Sequence, residues 1–141
     1  MPSLTLATAR TVLDAAFAAA RAANFKPMGV VVVDAAAQVV AAAREDGATA
    51  LRLDIALGKA AAAVGMGVNS RALATRAKDL PAFFTSIAAV SSQHFIAQTG
   101  AVLIVGADGA VLGAAGASGG TGDEDEQICI AGIAAAGLTH A

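Results

Sequence analysis

The order of predicted elements places this chain in the α+β class, with one antiparallel sheet and helices packed on it. Three observations lead there. Two short apolar runs are each followed, after a tight turn, by a second run, the pattern of a β-hairpin. Stretches at both ends of the chain carry apolar residues at helical spacing. The strands come in adjacent pairs, whereas parallel βαβ units would alternate strand and helix.

The first helix is predicted over residues 5–24. Leu6, Ala9, Val12, Leu13, Ala16, Phe17 and Ala20 recur every three or four residues, with Arg10, Asp14 and Arg21 elsewhere on the wheel. Asn24 suits a C-terminal stop and Pro27 cannot continue the helix. Residues 28–34 read Met-Gly-Val-Val-Val-Val-Asp, the β-branched run of a buried strand. A short turn over residues 34–38 leads to a second strand at 39–44, closing the first hairpin.

A second helix is predicted over 51–66, where Arg52, Ile55 and Lys59 share one stripe and Leu53, Ala56, Leu57, Ala60, Ala63 and Val64 form an apolar side. Gly65 and Gly67 loosen its end. Two short helices follow at 70–77 and 81–89, with Pro81 suited to a first turn. Residues 91–100 read as loop. The second hairpin is predicted from 101–105 and 111–117 around Asp108-Gly109. A glycine-rich loop over 116–122 then opens a last helix at about 123–136. His140, the penultimate residue, is expected to fray.

At 141 residues, with no repeat or linker, the chain reads as a single domain over residues 1–141, long enough to bury a core without disulfides. The one cysteine, Cys129, cannot form an internal disulfide, which fits a reducing compartment. No leader-like start and no uncharged apolar run of about 18 residues is seen, so a cytoplasmic location without membrane contact is expected. A net charge of −2 and a pI near 5.5 argue against nucleic acid as a partner. So does the lack of Trp and Tyr as stacking platforms. With 57% hydrophobic and 14% charged residues, some apolar surface is expected to be covered by further copies of the chain.

The chemistry-bearing segments each have a structural and a functional reading. In Gly116-Ala117-Ser118-Gly119-Gly120-Thr121-Gly122, followed by Asp123-Glu124-Asp125-Glu126, the structural reading is a tight turn with carboxylates at a helix N-terminus. The functional one has free N–H groups and the Ser118 or Thr121 hydroxyls meeting a ligand. No Walker-type Gly-Lys-Ser/Thr follows, and the four acids would repel phosphate. A hard cation held by Asp123, Asp125 and backbone carbonyls is a third option, lacking EF-hand spacing. Residues 116–120 also match Gly-x-Ser-x-Gly literally, but the sheet order speaks against an α/β-hydrolase.

Asp34, Arg44, Glu45 and Asp46 flank the first hairpin, with Arg52 and Lys59 on the next helix. They read as a solvated turn with ion pairs, or as a cluster that orients an anion. Lys59 is favoured as a surface lysine over a ligand contact. His94 is favoured as solvent-facing, the functional alternatives being an axial haem ligand, a metal ligand or a general base. A zinc site is disfavoured with two histidines and one cysteine. Cys129, among Ile128, Ile130 and Ile133, reads as a buried inert thiol.

Taken in order, four segments resemble the GlcG/HbpS-like family, described as haem-binding or haem-degrading-like, which includes the C-terminal domain of PduO-type proteins. They are residues 29–35, residues 41–48 (Ala-Ala-Ala-Arg-Glu-Asp-Gly-Ala), residues 54–60 (Asp-Ile-Ala-Leu-Gly-Lys-Ala) and residues 108–122 with Asp125-Glu126. The resemblance implies a profilin-like α/β/α sandwich with a central antiparallel sheet, assembled as dimers to octamers. It implies a small-ligand-binding protein, with haem or another tetrapyrrole as the leading ligand. The alternatives are an accessory enzyme on small organic acids, using Asp34, Lys59 or Asp125 as acid/base groups, and an assembly-only protein.

The candidate ligand-binding set is Asp34, Arg44, Lys59, Ser118, Gly119, Gly120 and Asp125, with His94 as candidate axial ligand. No catalytic residue and no metal set is assigned. The sequence departs from the family at Ala36-Ala37, where Gly-Gly is usual, and at Gln98-Thr99-Gly100, where a longer segment containing Gly and Pro is common.

Overall fold

The computed structural model describes residues 3–91 and 94–141. Helix α1 (Leu6–Ala22) begins with a capping box in which the Thr5 hydroxyl accepts from the Thr8 N–H and the Thr8 hydroxyl accepts from the Thr5 N–H. It ends at Asn24, which takes the left-handed conformation (φ 58°) while the Phe25 N–H reaches back to the Ala20 carbonyl. The predicted stop is therefore the real one. The buried side chains Ala9, Val12, Leu13, Ala16 and Ala20 form the stripe that the spacing implies.

Strands β1 (Gly29–Asp34) and β2 (Val39–Arg44) form the first hairpin. Helix α2 (Arg52–Met66) is followed by α3 (Ser70–Asp79) and α4 (Pro81–Val90). Strands β3 (Ala101–Val105) and β4 (Val111–Ser118) form the second hairpin, and α5 (Gly122–Ala135) follows. The sheet order is β2-β1-β4-β3-β5, and every strand pairing among the described residues is antiparallel. The α+β class holds, and the layers are those of an α/β/α sandwich.

Strand β5 (Thr139–His140) corrects one expectation. His140 does not fray: it pairs with Ile104, and Thr139 with Val105. The open remainder of the β3 edge is met by side chains, since the Ala101 N–H donates to Ser70 Oγ (2.8 Å) and the Leu103 N–H to Asn69 Oδ1 (2.8 Å). An unpaired backbone group there would cost about 1–3 kcal/mol.

The alternation of side chains along the strands divides the core into two. Val30, Val32, Ala115 and Ala117 face α1 and α5, together with Val12, Ile128 and Ile133. Val31, Val33 and Ala114 face α2, together with Ala56, Ala60 and Ala63. The α2 side is built almost wholly from small residues, so α2 lies very close to the sheet. A β-carbon at Gly116 would collide with the Ala56 carbonyl oxygen, and one at Gly29 would stand 3.0 Å from the Arg52 carbonyl carbon. These two bare backbone positions let α2 sink onto β1 and β4.

A second correction concerns the glycine-rich segment. Gly116, Ala117 and Ser118 belong to β4, so the irregular connection to α5 is only three residues long, Gly119 to Thr121.

Candidate functional site

The close seating of α2 decides the character of Lys59. On a helix packed at ordinary distance it would reach solvent; here it is 5% exposed. The expected surface lysine is thus a buried one. Its ammonium donates to Asp125 Oδ2 at 2.9 Å and to the Ala117 carbonyl at 3.1 Å. Asp125, itself 1% exposed, accepts the Gly120 N–H on its other oxygen at 3.0 Å. Room for this pair comes from Gly100 (φ 137°): a β-carbon there would stand 2.7 Å from Lys59 Nζ. Both charges are compensated, as buried ions must be.

Arg52 lies two turns before Lys59 on the same face of α2. Its Nη1 donates to the Ser118 hydroxyl at 3.2 Å. The register explains the meeting, because Ser118 pairs with Gly29 across the β1–β4 ladder, and Gly29 is where α2 touches the sheet. Arg52, Ile55, Lys59, Gln98, Thr99, Ser118, Gly120 and the start of α5 line an open cleft of about 460 Å³. The predicted stripe Arg52–Ile55–Lys59 therefore forms one wall, and the β4–α5 turn the other.

The acids at the start of α5 are each committed. Glu124 closes a capping box with Thr121. Asp123 and Glu126 both pair with Arg71 of α3, whose guanidinium they hold above its ordinary range through these hydrogen bonds, that to Glu126 the larger. Asp125 takes Lys59. Among the described residues, no group of three metal-ligating side chains is found, so the cation option has no set of ligands there.

Of the candidate residues, the structure brings Lys59, Ser118, Gly120 and Asp125 together. Gly119 is buried beside them, its α-carbon lying where a side chain would strike the Pro27 carbonyl oxygen. Asp34 stands elsewhere. It lies at the opposite end of β1 from Gly29, roughly 17 Å away at strand spacing, and its carboxylate closes the hairpin turn by accepting the Ala36 and Gln38 N–H groups. Arg44 lines a separate cleft with Phe17, Arg21, Pro27, Glu45 and Asp46, and donates to the Ala48 carbonyl. His94 is exposed and does not line the Lys59 cleft; its neighbours Ser92 and Gln93 lie outside the described residues. Cys129 is fully buried, and burial, followed by the nearby Asp125 carboxylate, pushes its thiol well above the ordinary range, which makes it inert. Arg52 belongs to the predicted stripe and to the charge cluster but not to the candidate ligand-binding set. The signal for its role was its i, i+7 relation to Lys59.

The family model described as "Haem degrading protein HbpS-like" matches residues 4–134. HbpS from Streptomyces reticuli, in a double-mutant form, is 30% identical, with 95% of this chain and 87% of that chain covered and a TM-score of 0.81. A PduOC–haem complex is 23% identical, covers 97% of each chain and has a TM-score of 0.84. The ORFY protein of Klebsiella pneumoniae is 24% identical over 97% of this chain and 92% of that chain, with a TM-score of 0.83. The last two show the shared fold. No curated protein matches the chain. The near end-to-end match of the family model, over a sheet and helices arranged as in HbpS, makes this chain a member of the HbpS-like family.

Proposed function

We propose that this protein binds a small ligand in the cleft between α2 and the β4–α5 turn, with haem or another tetrapyrrole as the leading ligand. The observation that carries the reading is the buried Lys59–Asp125 pair at the base of an open cleft. Maintaining two desolvated charges is costly, and such pairs cluster where a protein needs a fixed polar surface. The family description and the haem of the PduOC–haem complex support the choice of ligand.

The cleft fits part of a haem. Arg52, Lys59 and Ser118 offer donors suited to its carboxylates. Ile55 gives apolar contact, and a groove of about 390 Å³ lined by Phe84, Phe95, Ile96 and Ala97 adjoins the cleft at Gln98. When bound, haem would supply redox or oxygen chemistry; the chain's own residues would hold and orient it. Titration of the purified protein with haemin is expected to give a saturable Soret shift at one site per subunit. No shift would sink the haem reading. Loss of the shift in His94→Ala would identify His94 as an iron ligand.

A second reading, an accessory enzyme on small organic acids, is favoured by one observation: among the described residues, Ile55 is the one large apolar side chain lining the cleft itself. In both readings the protein works as a homo-oligomer, between dimer and octamer, in the cytoplasm. No helix among the described residues is long and apolar enough to cross a membrane.

A further inference from the structure

We infer that Arg52 is the specificity-determining residue of this cleft, which takes up one carboxylate group of its ligand between the Arg52 guanidinium and the Ser118 hydroxyl, independently of any iron. The inference rests on the cleft being the ligand site and narrows that reading to a chemical group.

The charges around the cleft lead to it. Lys59 is neutralised by Asp125, and Arg71 by Asp123 and Glu126. Among the described residues, Arg52 has no carboxylate within ion-pair distance, although it is half-buried and lines the cleft. It spends one N–H on Ser118 Oγ and keeps others for a guest. Because Ser118 accepts that bond, its own hydroxyl proton remains to be donated. Ser118 is 2% exposed, and its oxygen is held at the cleft wall by the Arg52 bond. Two donors 3.2 Å apart, one charged and one neutral, suit the two oxygens of a carboxylate. The third N–H of Lys59, beyond its bonds to Asp125 and Ala117, adds a donor on the same wall.

The same surroundings select the anion. Asp123, Glu124, Asp125 and Glu126 stand at the start of α5, and Asp123 and Asp125 line the cleft. A guest with one negative charge is matched by Arg52; the second charge of a phosphate would face these carboxylates uncompensated. Iron finds little here. Among the described residues, no His, Cys, Met or Tyr lines the cleft. The two sources of such a group are a tetrapyrrole side chain and a free small carboxylic acid.

The test compares haemin, iron-free protoporphyrin IX and haemin dimethyl ester on the wild-type protein and on Arg52→Gln. Far-UV circular dichroism verifies the fold of the variant, whose changed residue is partly exposed. Haemin and the iron-free acid are expected to bind within about threefold of each other. The ester is expected to bind about ten- to a hundredfold more weakly, the range for a lost charge-assisted hydrogen bond, and Arg52→Gln should erase that difference. An ester that binds as well as the acid overturns the inference while leaving the haem reading intact. So does a folded Arg52→Gln protein that keeps the preference. If no tetrapyrrole binds, the haem reading falls and small acids decide. Shifts of the Gly120 and Thr121 amide resonances with acetate or succinate, absent in Arg52→Gln, uphold the carboxylate site. No such shifts, or tighter binding of inorganic phosphate, overturn it.

Discussion

Lys59 shows how a single residue can change meaning between sequence and fold. Its charge and its place on the helix wheel are plain in the sequence, but burial depends on the distance between α2 and the sheet, which glycines and alanines on other elements set. Replacing it with methionine leaves the Asp125 carboxylate buried with the Gly120 N–H as its remaining protein donor. Lys59→Met is therefore expected to cost about 3–5 kcal/mol, as for other broken buried pairs, read as a lower urea midpoint. Removing the second charge as well, in Lys59→Met/Asp125→Leu, should recover much of that loss. A double variant no more stable than the single one would mean that Asp125 is not an uncompensated ion in Lys59→Met.

At the scale of the element, one glycine on α2 and one on the strand beneath it carry opposite expectations. Gly65, near the C-terminal end of α2, has nothing within 4 Å of where a β-carbon would stand. Gly65→Ala should raise stability by about 0.5–1 kcal/mol through helix propensity alone. Gly116 on β4 meets α2 from below, against the Ala56 carbonyl. Gly116→Ala should lower stability by about 1–3 kcal/mol, since the helix has to rise from the sheet. Urea denaturation of the two variants checks both signs. If Gly116→Ala proved neutral, the close approach of α2 would not be what buries Lys59. The first hairpin carries a related departure. Ala37 sits at φ 61°, in the left-handed region that favours glycine, and Asp34 compensates by binding two N–H groups of the turn.

For the whole molecule, the sandwich leaves apolar side chains outside. Val90 is 83% exposed, and Leu51, Leu80 and Phe83 are each more than half exposed. With 14% charged residues the surface has few groups to solvate them. Light scattering in line with size-exclusion chromatography is expected to give a mass at least twice the 13.6 kDa of one chain. A 13.6 kDa species at all protein concentrations tested would contradict the oligomer.

The amino-acid sequence by itself determined the local structure: where helices start and stop, which runs pair as hairpins, and that the sheet is antiparallel. Each of these follows from neighbours a few residues apart, through capping groups, turn residues and the period of the apolar pattern. It also put Arg52, Ile55 and Lys59 on one face, because helical spacing is local. Tertiary structure alone decided which charges meet. Lys59 and Asp125 are 66 residues apart, as are Arg52 and Ser118, and Asp34 and Arg44, which looked like members of the same cluster, were carried to another end of the sheet and to another cleft. The physical reason is that side-chain burial and partnership depend on how closely two elements pack. Here that distance is set by the missing β-carbons of Gly29, Gly100 and Gly116 on segments remote from the helix they receive.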